Sequence, residues 1–115
     1  MVKLRQEDIK TKEVLSWKGI HLFHFTFSAC SMKTRIFMGL KNIDYTGHHI
    51  NLQKKENFSP YFQGITPRSL VPVLVDDGEV HIESNDILKY LDNKFPATTL
   101  IPVSYTHLRA HETQD

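Results

Sequence analysis

A proline inside an apolar run constrains the fold more than any other feature of this sequence. The run extends from Leu70 to Val75 and has Pro72 as its third residue. Because proline cannot donate a hydrogen bond to a sheet ladder, it belongs at an edge, an end or a bend of a strand. A cis Val71–Pro72 bond would meet this requirement, since it turns the chain sharply and directs the Val71 N–H and C=O out of the sheet.

The residues after this run predict a hairpin and a helix. Asp77 and Gly78 separate the run from a second strand-like stretch, residues 79–82, and an Asp-Gly pair in that position is typical of a tight β-hairpin. After Ser84, apolar residues recur at helical spacing until a proline stops the pattern. Residues 69–95 therefore predict a strand, a turn, a second strand and a helix.

The preceding half of the chain predicts a strand, a helix and another strand. Residues 20–27 form a short apolar and aromatic run, which favours a strand, and residues 43–52 end in a strand-like pattern. Between them, apolar residues at helical spacing predict a helix with three basic residues toward solvent. The apolar residues are Met32, Ile36, Phe37 and Leu40, and the basic residues are Lys33, Arg35 and Lys41.

The order of these elements predicts the fold class. A strand–helix–strand unit implies a parallel strand pair with a right-handed crossover, and the later hairpin adds an antiparallel pair. We therefore expect an α/β fold of the form βαβ followed by ββα, with a mixed four-stranded sheet and helices on both faces. We divide the chain into an N-terminal extension of residues 1–18 anchored by Trp17, a domain of residues 19–96, and a tail of residues 97–115.

The composition of the 115-residue chain excludes several classes of protein. A net charge of +1 implies no nucleic acid or other polyanion as a partner. No apolar run approaches the roughly 18 residues that a membrane span needs, so we expect no membrane association. The single cysteine, Cys30, excludes an internal disulfide framework, and the polar first residues do not resemble a secretory signal. These features favour a reducing, cytoplasmic setting.

The seven histidines do not predict a metal site. His48 and His49 are adjacent on a predicted strand, where they point to opposite faces and cannot easily share an ion. His107 and His111 have the i, i+4 spacing of a single helix face, but they lie in the tail. We therefore expect no metal.

Three short motifs carry a resemblance to a known family. They are Ser28-Ala29-Cys30-Ser31, Val71-Pro72 and Glu83-Ser84. With these motifs in this order, residues 19–102 resemble the N-terminal, thioredoxin-like domain of the cytosolic glutathione transferases. The first motif looks most like the serine-type helix start of the zeta class and its bacterial relatives. The resemblance implies a thioredoxin-like fold with a cis-proline, and glutathione as the cosubstrate.

The resemblance also implies a role for each motif. Ser28 would donate a hydrogen bond to the glutathione sulfur and hold it as thiolate. The Val71 backbone, presented by Pro72, would pair with the cysteinyl unit, and Glu83 and Ser84 would hold the γ-glutamyl end. These roles are physically reasonable, because a free thiol has a pKa of about 8.5 and the positive end of a helix favours its thiolate.

Several departures from the family leave alternatives open. Ser28, Cys30 and Ser31 all remain candidates to contact the thiol, although serines at a helix start are also favoured caps and a cysteine is often a packing residue. Ala29 replaces a second serine, and Leu70 stands where the family often has a polar residue. Cys30 suggests a glutathione-dependent thiol transferase, although the absence of a C-x-x-C pair argues against dithiol chemistry. A non-catalytic module that mediates protein association is the other alternative.

The resemblance implies more protein than this chain contains. Glutathione transferases have a second, helical domain that supplies most of the site for a small electrophilic substrate, and the full-length parent is expected to be a homodimer. We expect a truncated chain that keeps the glutathione-binding motifs and has little activity alone. Residues 104–115 do not resemble the family, and we expect them to be a non-native tail.

Overall fold

The computed structural model describes residues 3–96, which form a five-stranded sheet and three α-helices. The strands are β1 (Lys3–Leu4), β2 (Ile20–His24), β3 (Thr46–His49), β4 (Val73–Asp76) and β5 (Glu79–Ile82). The helices are α1 (Ala29–Leu40), α2 (Pro60–Gln63) and α3 (Ser84–Lys94), and short 3-10 turns span Gln6–Asp8, Lys12–Ser16 and Glu56–Phe58. No helix within residues 3–96 is long and apolar enough to cross a membrane. The predicted tail, with His107 and His111, lies outside the described residues.

The sheet has the strand order β1-β5-β4-β2-β3. β2 and β3 are parallel, whereas β2–β4, β4–β5 and β5–β1 are antiparallel. The sheet is therefore mixed, as predicted, but it has one strand more than the four expected. The additional strand, β1, has only two residues, and it pairs Lys3 with His81 of the distant β5. Such a short strand carries no alternating pattern, so the sequence does not reveal it.

Neighbouring residues of the central strands build a core on each face of the sheet, because successive side chains of a strand point to opposite faces. Leu22 and Leu74 are paired on one face, and Phe23 and Val73 on the other. The first cluster packs against α1 and α3, and its buried members are Leu22, Met38, Ile43, Leu74, Ile87 and Leu91. The second cluster includes Phe62 of α2. Helices thus cover both faces of the sheet.

Helix α1 has its apolar stripe on the outside. Met32, Ile36 and Leu40 are 46%, 56% and 42% exposed, whereas the buried residues of the helix are Ser31, Thr34 and Met38. The basic residues also differ from the prediction, because the Lys41 side chain is fully buried instead of facing solvent. Its ammonium lies 2.9 Å from the Asp92 carboxylate and 2.9 Å from the Phe95 carbonyl oxygen. A buried ammonium is tolerated here because α3 supplies these two oxygen partners.

The N-terminal segment contributes to the core of the domain. Ile9 and Val14 are buried in the cluster that contains Phe62. The backbone N–H groups of Lys10 and Thr11 donate to the Gly64 carbonyl oxygen at 2.7 and 3.1 Å. Residues 3–18 are therefore packed against the linker between the two halves of the domain rather than extended as a free arm.

The hairpin between β4 and β5 turns at Asp77 and Gly78, which have φ values of 49° and 86°. Two consecutive positive φ angles are the signature of a type I′ turn, which explains the Asp-Gly pair in the sequence. Gly78 has a second role, because a Cβ at this position would collide with the backbone carbonyl oxygen of Leu15. The turn thus packs directly against the N-terminal segment.

Candidate functional site

A cleft of about 120 Å³ lies where the first turns of α1 and α3 approach the start of β4. Five of the seven site residues predicted from the sequence line it, namely Cys30, Val71, Pro72, Glu83 and Ser84. These residues come from all three motifs. The fold therefore brings together motifs that are far apart in the sequence.

The floor of the cleft is formed by the segment that enters β4. The Val71–Pro72 peptide bond is cis, and Pro72 is buried while Val71 is half-buried. The next residue, Val73, is the first of β4 and pairs with Ile82 of β5. Leu70 also lines the cleft and is 57% exposed. The position where the family often has a polar residue therefore presents an apolar side chain to the cleft.

The first turn of α1 separates the three candidates for the thiol contact. Ser28 is the N-cap of the helix and its side-chain oxygen accepts a hydrogen bond from the Ser31 N–H at 3.2 Å. Ser31 is buried, and its hydroxyl oxygen accepts from the Phe25 N–H at 3.3 Å. Cys30 is exposed and lines the cleft. The Ser31 hydroxyl is thus engaged inside the protein, and Ser28 is half-buried and is not among the residues that line the cleft, whereas Cys30 is exposed in it.

The first turn of α3 presents Glu83 and Ser84 to the cleft. Glu83 occupies the N-cap position with a φ of 73°, an uncommon conformation for a residue with a side chain, and its side chain makes no capping hydrogen bond. Its carboxylate instead forms an ion pair with the guanidinium of Arg68. Ser84 is the first residue of the helix, where backbone N–H groups lack intrahelical partners and favour an anion.

Four cleft residues were not among the predicted site residues, namely Thr66, Arg68, Leu70 and Ile82. Thr66 is buried, and Arg68 projects from the loop between α2 and β4 toward Glu83. Loop residues carry no periodic pattern, so the sequence does not show which way they point. A basic residue shortly before the Val-Pro pair is the one signal that could have suggested Arg68.

The histidines of β2 and β3 form two pairs away from the cleft. The His21 Nδ1 lies 2.9 Å from the His48 Nε2, and the rings of His24 and His49 are 5.7 Å apart. Burial lowers the pKa of His24, with a further contribution from Arg35, and burial also lowers the pKa of His48. Within residues 3–96, no three histidine, cysteine or acidic side chains converge in a way that could hold a metal ion.

Comparison with known proteins bears directly on this arrangement. The sequence model of the glutathione S-transferase N-terminal domain matches residues 22–99. The chain belongs to this family. Its fold is the thioredoxin-like fold of the glutathione transferases, as the three motifs predicted.

Individual relatives are consistent with a place near the zeta class. A zeta-class glutathione S-transferase of Euphorbia esula is 40% identical over 83 residues, which are 72% of this chain and 37% of the relative. The holo structure of a maleyl pyruvate isomerase, described as a bacterial zeta-class glutathione S-transferase, matches with a TM-score of 0.68 and 30% identity over 78% of this chain and 44% of that one.

A further family member has been solved with a ligand. The glutathione transferase structure from Phanerochaete chrysosporium with oxidized glutathione matches with a TM-score of 0.66 and 26% identity, and covers 70% of this chain and 37% of that one. The chain spans less than half the length of each of these three relatives. The similarity is therefore to the N-terminal parts of glutathione transferases.

Proposed function

We propose that this chain is the glutathione-binding domain of a zeta-like glutathione transferase and that the cleft binds glutathione. The observation that supports this most strongly is the convergence of three motifs on one cleft. Val71 and Pro72 lie between the first turns of α1 and α3, so a single extended tripeptide can contact both helix starts at once.

In this proposal the Ser28 hydroxyl stabilises the glutathione thiolate. A serine hydroxyl has one hydrogen to donate and two lone pairs to accept with. Because the Ser31 N–H uses only a lone pair of the Ser28 oxygen, the hydroxyl hydrogen remains available for the sulfur. Capping and thiolate stabilisation are therefore compatible. The thiol proton passes to solvent, and the thiolate then attacks a small electrophile.

The other contacts follow from the cleft. The Val71 backbone pairs with the cysteinyl unit of glutathione, while Glu83 and Ser84 hold the γ-glutamyl end. The Ser84 hydroxyl and the free N–H groups of the first turn of α3 suit the γ-glutamyl carboxylate, because a helix start favours negative charge.

We also propose that the electrophile binds mainly to a part of the parent protein beyond this chain. The exposed apolar stripe of α1, formed by Met32, Ile36 and Leu40 together with Phe27, is the surface that such a part would cover. Alone, the chain binds glutathione and has weak activity. The parent is expected to be a cytoplasmic homodimer, as the resemblance implies.

Calorimetric titration of the 115-residue chain with glutathione tests the proposal. We expect binding, and we expect Ser84→Ala to weaken it roughly tenfold, because a charge-assisted hydrogen bond is lost. Ser16→Ala is the matched control, since the Ser16 hydroxyl only donates to the Glu13 carbonyl oxygen outside the cleft. Absence of glutathione binding to both the unmodified chain and the control would refute the proposal.

The exposure of Cys30 supports a second candidate function. Cys30 lines the cleft, so its thiolate can attack a glutathione mixed disulfide and release the substrate thiol, after which a second glutathione thiol attacks the Cys30–glutathione disulfide and gives glutathione disulfide and free Cys30. A Cys30→Ala variant distinguishes the two candidates. Loss of glutathione-dependent disulfide reduction with unchanged glutathione binding would favour the thiol transferase, whereas unchanged reduction would exclude it.

A further inference from the structure

The ion pair between Arg68 and Glu83 lies within the cleft rather than in the core. Both residues line the cleft, and their side chains are 51% and 39% exposed. Exposed ion pairs contribute little to folding stability. The pair is therefore free to exchange partners when a charged ligand arrives.

The two residues supply the charges of the cleft wall. Among the described residues that line the cleft, Arg68 carries the only permanent positive charge and Glu83 the only permanent negative charge. An α-amino acid group carries one ammonium and one carboxylate, so its charges complement those of the pair. A planar guanidinium binds a carboxylate through two parallel N–H donors, which a lysine cannot do.

We propose that Arg68 binds the α-carboxylate of the γ-glutamyl residue while Glu83 accepts hydrogen bonds from its α-ammonium. The ligand thereby inserts its two charges between Arg68 and Glu83 and replaces their ion pair. Arg68 is then a specificity-determining residue that selects ligands with a complete α-amino acid group. This inference rests on the proposed glutathione-binding function of the cleft.

The position of Leu70 is consistent with this role. Leu70 lines the same cleft and its side chain has no hydrogen-bonding atom. Side-chain recognition is therefore concentrated at the end of the cleft near α3, where Arg68, Glu83 and Ser84 lie. We expect ligands that lack the α-carboxylate to be discriminated strongly.

The test is a cycle of two ligands and two chains measured by calorimetry. The ligands are glutathione and an analogue with a 4-aminobutyryl group in place of the γ-glutamyl group, which lacks only the α-carboxylate. The chains are the unmodified protein and Arg68→Gln. We expect the unmodified protein to bind glutathione more tightly than the analogue, and Arg68→Gln to reduce this preference roughly tenfold, with the remaining preference supplied by Ser84 and the start of α3. The variant should bind the analogue no more weakly than the unmodified protein does.

A matched arginine variant controls for nonspecific loss of charge. Arg5 is outside the cleft, is 71% exposed and pairs with Glu7 and Asp8, so Arg5→Gln should keep both affinities. If Arg68→Gln weakens glutathione and the analogue equally, or weakens neither, Arg68 does not recognise the carboxylate and the inference is wrong. If neither the unmodified chain nor Arg5→Gln binds glutathione, both the proposed function and the inference about Arg68 are wrong. Unchanged circular dichroism and melting of Arg68→Gln verify that the variant is folded.

Discussion

The hydroxyl oxygen of Ser28 accepts a hydrogen bond from the Ser31 N–H at 3.2 Å and closes the first turn of α1. The Ser31 hydroxyl oxygen accepts in turn from the Phe25 N–H at 3.3 Å, which ties the helix to the chain leaving β2. Two serines thus fix the geometry of the loop that carries the proposed thiolate-binding residue. If Ser28 binds the thiolate as proposed, its contributions to stability and to function can be separated by experiment.

Removing the Ser28 hydroxyl should affect both properties. We expect Ser28→Ala to lower the free energy of unfolding by about 1 kcal/mol, because the Ser31 N–H loses its acceptor. We also expect a raised pKa of the bound glutathione thiol. Urea unfolding measures the first effect, and ultraviolet difference absorbance of the thiolate as a function of pH measures the second.

Ser59→Ala provides the matched control for this variant. Ser59 caps α2 by accepting from the Phe62 N–H at 3.2 Å and lies outside the cleft. Its removal should cost a similar free energy of unfolding without changing the thiol titration. If the pKa of the bound glutathione thiol is the same in Ser28→Ala as in the unmodified protein, Ser28 is only a helix cap.

The stability of the domain should decrease in mild acid. Burial lowers the pKa of His24, His48 and His81, and Glu79 offsets the effect only partly for His81. Because these pKa values are lower in the folded state than the usual value of about 6.5, the unfolded chain takes up protons first as the pH falls. The stabilisation is therefore complete above about pH 6.5 and is lost as the pH falls through the folded-state pKa values.

Unfolding by urea between neutral and mildly acidic pH measures this dependence. We expect His81→Leu to show a shallower loss of stability in acid, because His81 is 1% exposed and packs against Tyr90 in a tilted ring contact with centroids 4.1 Å apart. Lys54→Gln, at an exposed loop position, should leave the profile unchanged. A profile for His81→Leu as steep as that of the unmodified chain would exclude this residue as a source of acid sensitivity.

Two glycines should respond in opposite directions to alanine. Gly78→Ala should lower the free energy of unfolding by more than about 1 kcal/mol, because φ is +86° and the new Cβ collides with the Leu15 carbonyl oxygen. Gly39→Ala should raise it by about 0.5–1 kcal/mol, since Gly39 lies within α1 and nothing is within 4 Å of its Cβ position. Chemical denaturation of both variants gives the comparison, and equal effects would contradict the hairpin packing.

The buried Lys41 should make the stability of the domain depend on Asp92, an exposed residue of α3. Asp92→Ala leaves the ammonium with the Phe95 carbonyl oxygen, and we expect a loss of about 1–3 kcal/mol in the free energy of unfolding. Lys41→Met, which removes the buried charge, should cost less. In the Lys41→Met background the effect of Asp92→Ala should shrink, and a double-mutant cycle measures the difference. An equal cost in both backgrounds would show that the two residues are not coupled.

The sequence predicted those parts of the fold that have a local signal. The Asp77-Gly78 turn, the apolar strand after Pro72 and the helix start at Ser28 each depend on neighbouring residues, and the structure contains all three. β1 was missed because its pairing is set by a strand at the other end of the domain. Lys41 was misplaced because its burial depends on oxygen atoms supplied by α3.

The cleft was predicted in outline for a different reason. Its motifs were recognised by resemblance, and the structure places Cys30, Val71 and Glu83 along one cleft. Arg68 was not predicted, because the direction of a loop side chain depends on the tertiary structure. The burial of Ser31 could not be predicted either, because helical spacing alone does not determine which side of the first turn faces the core.

The burial of Ile9 and Val14 means that the folded domain begins before the residues matched by the family model. That match starts at residue 22, yet these two side chains pack in the same cluster as Phe62. A protein trimmed to residues 22–99 would therefore contain a void beside Phe62 and an unpaired sheet edge at β5. Because Ile9, Val14 and Phe62 share one buried cluster, we expect a substitution that changes the volume of Phe62 to be compensated by substitutions at Ile9 or Val14.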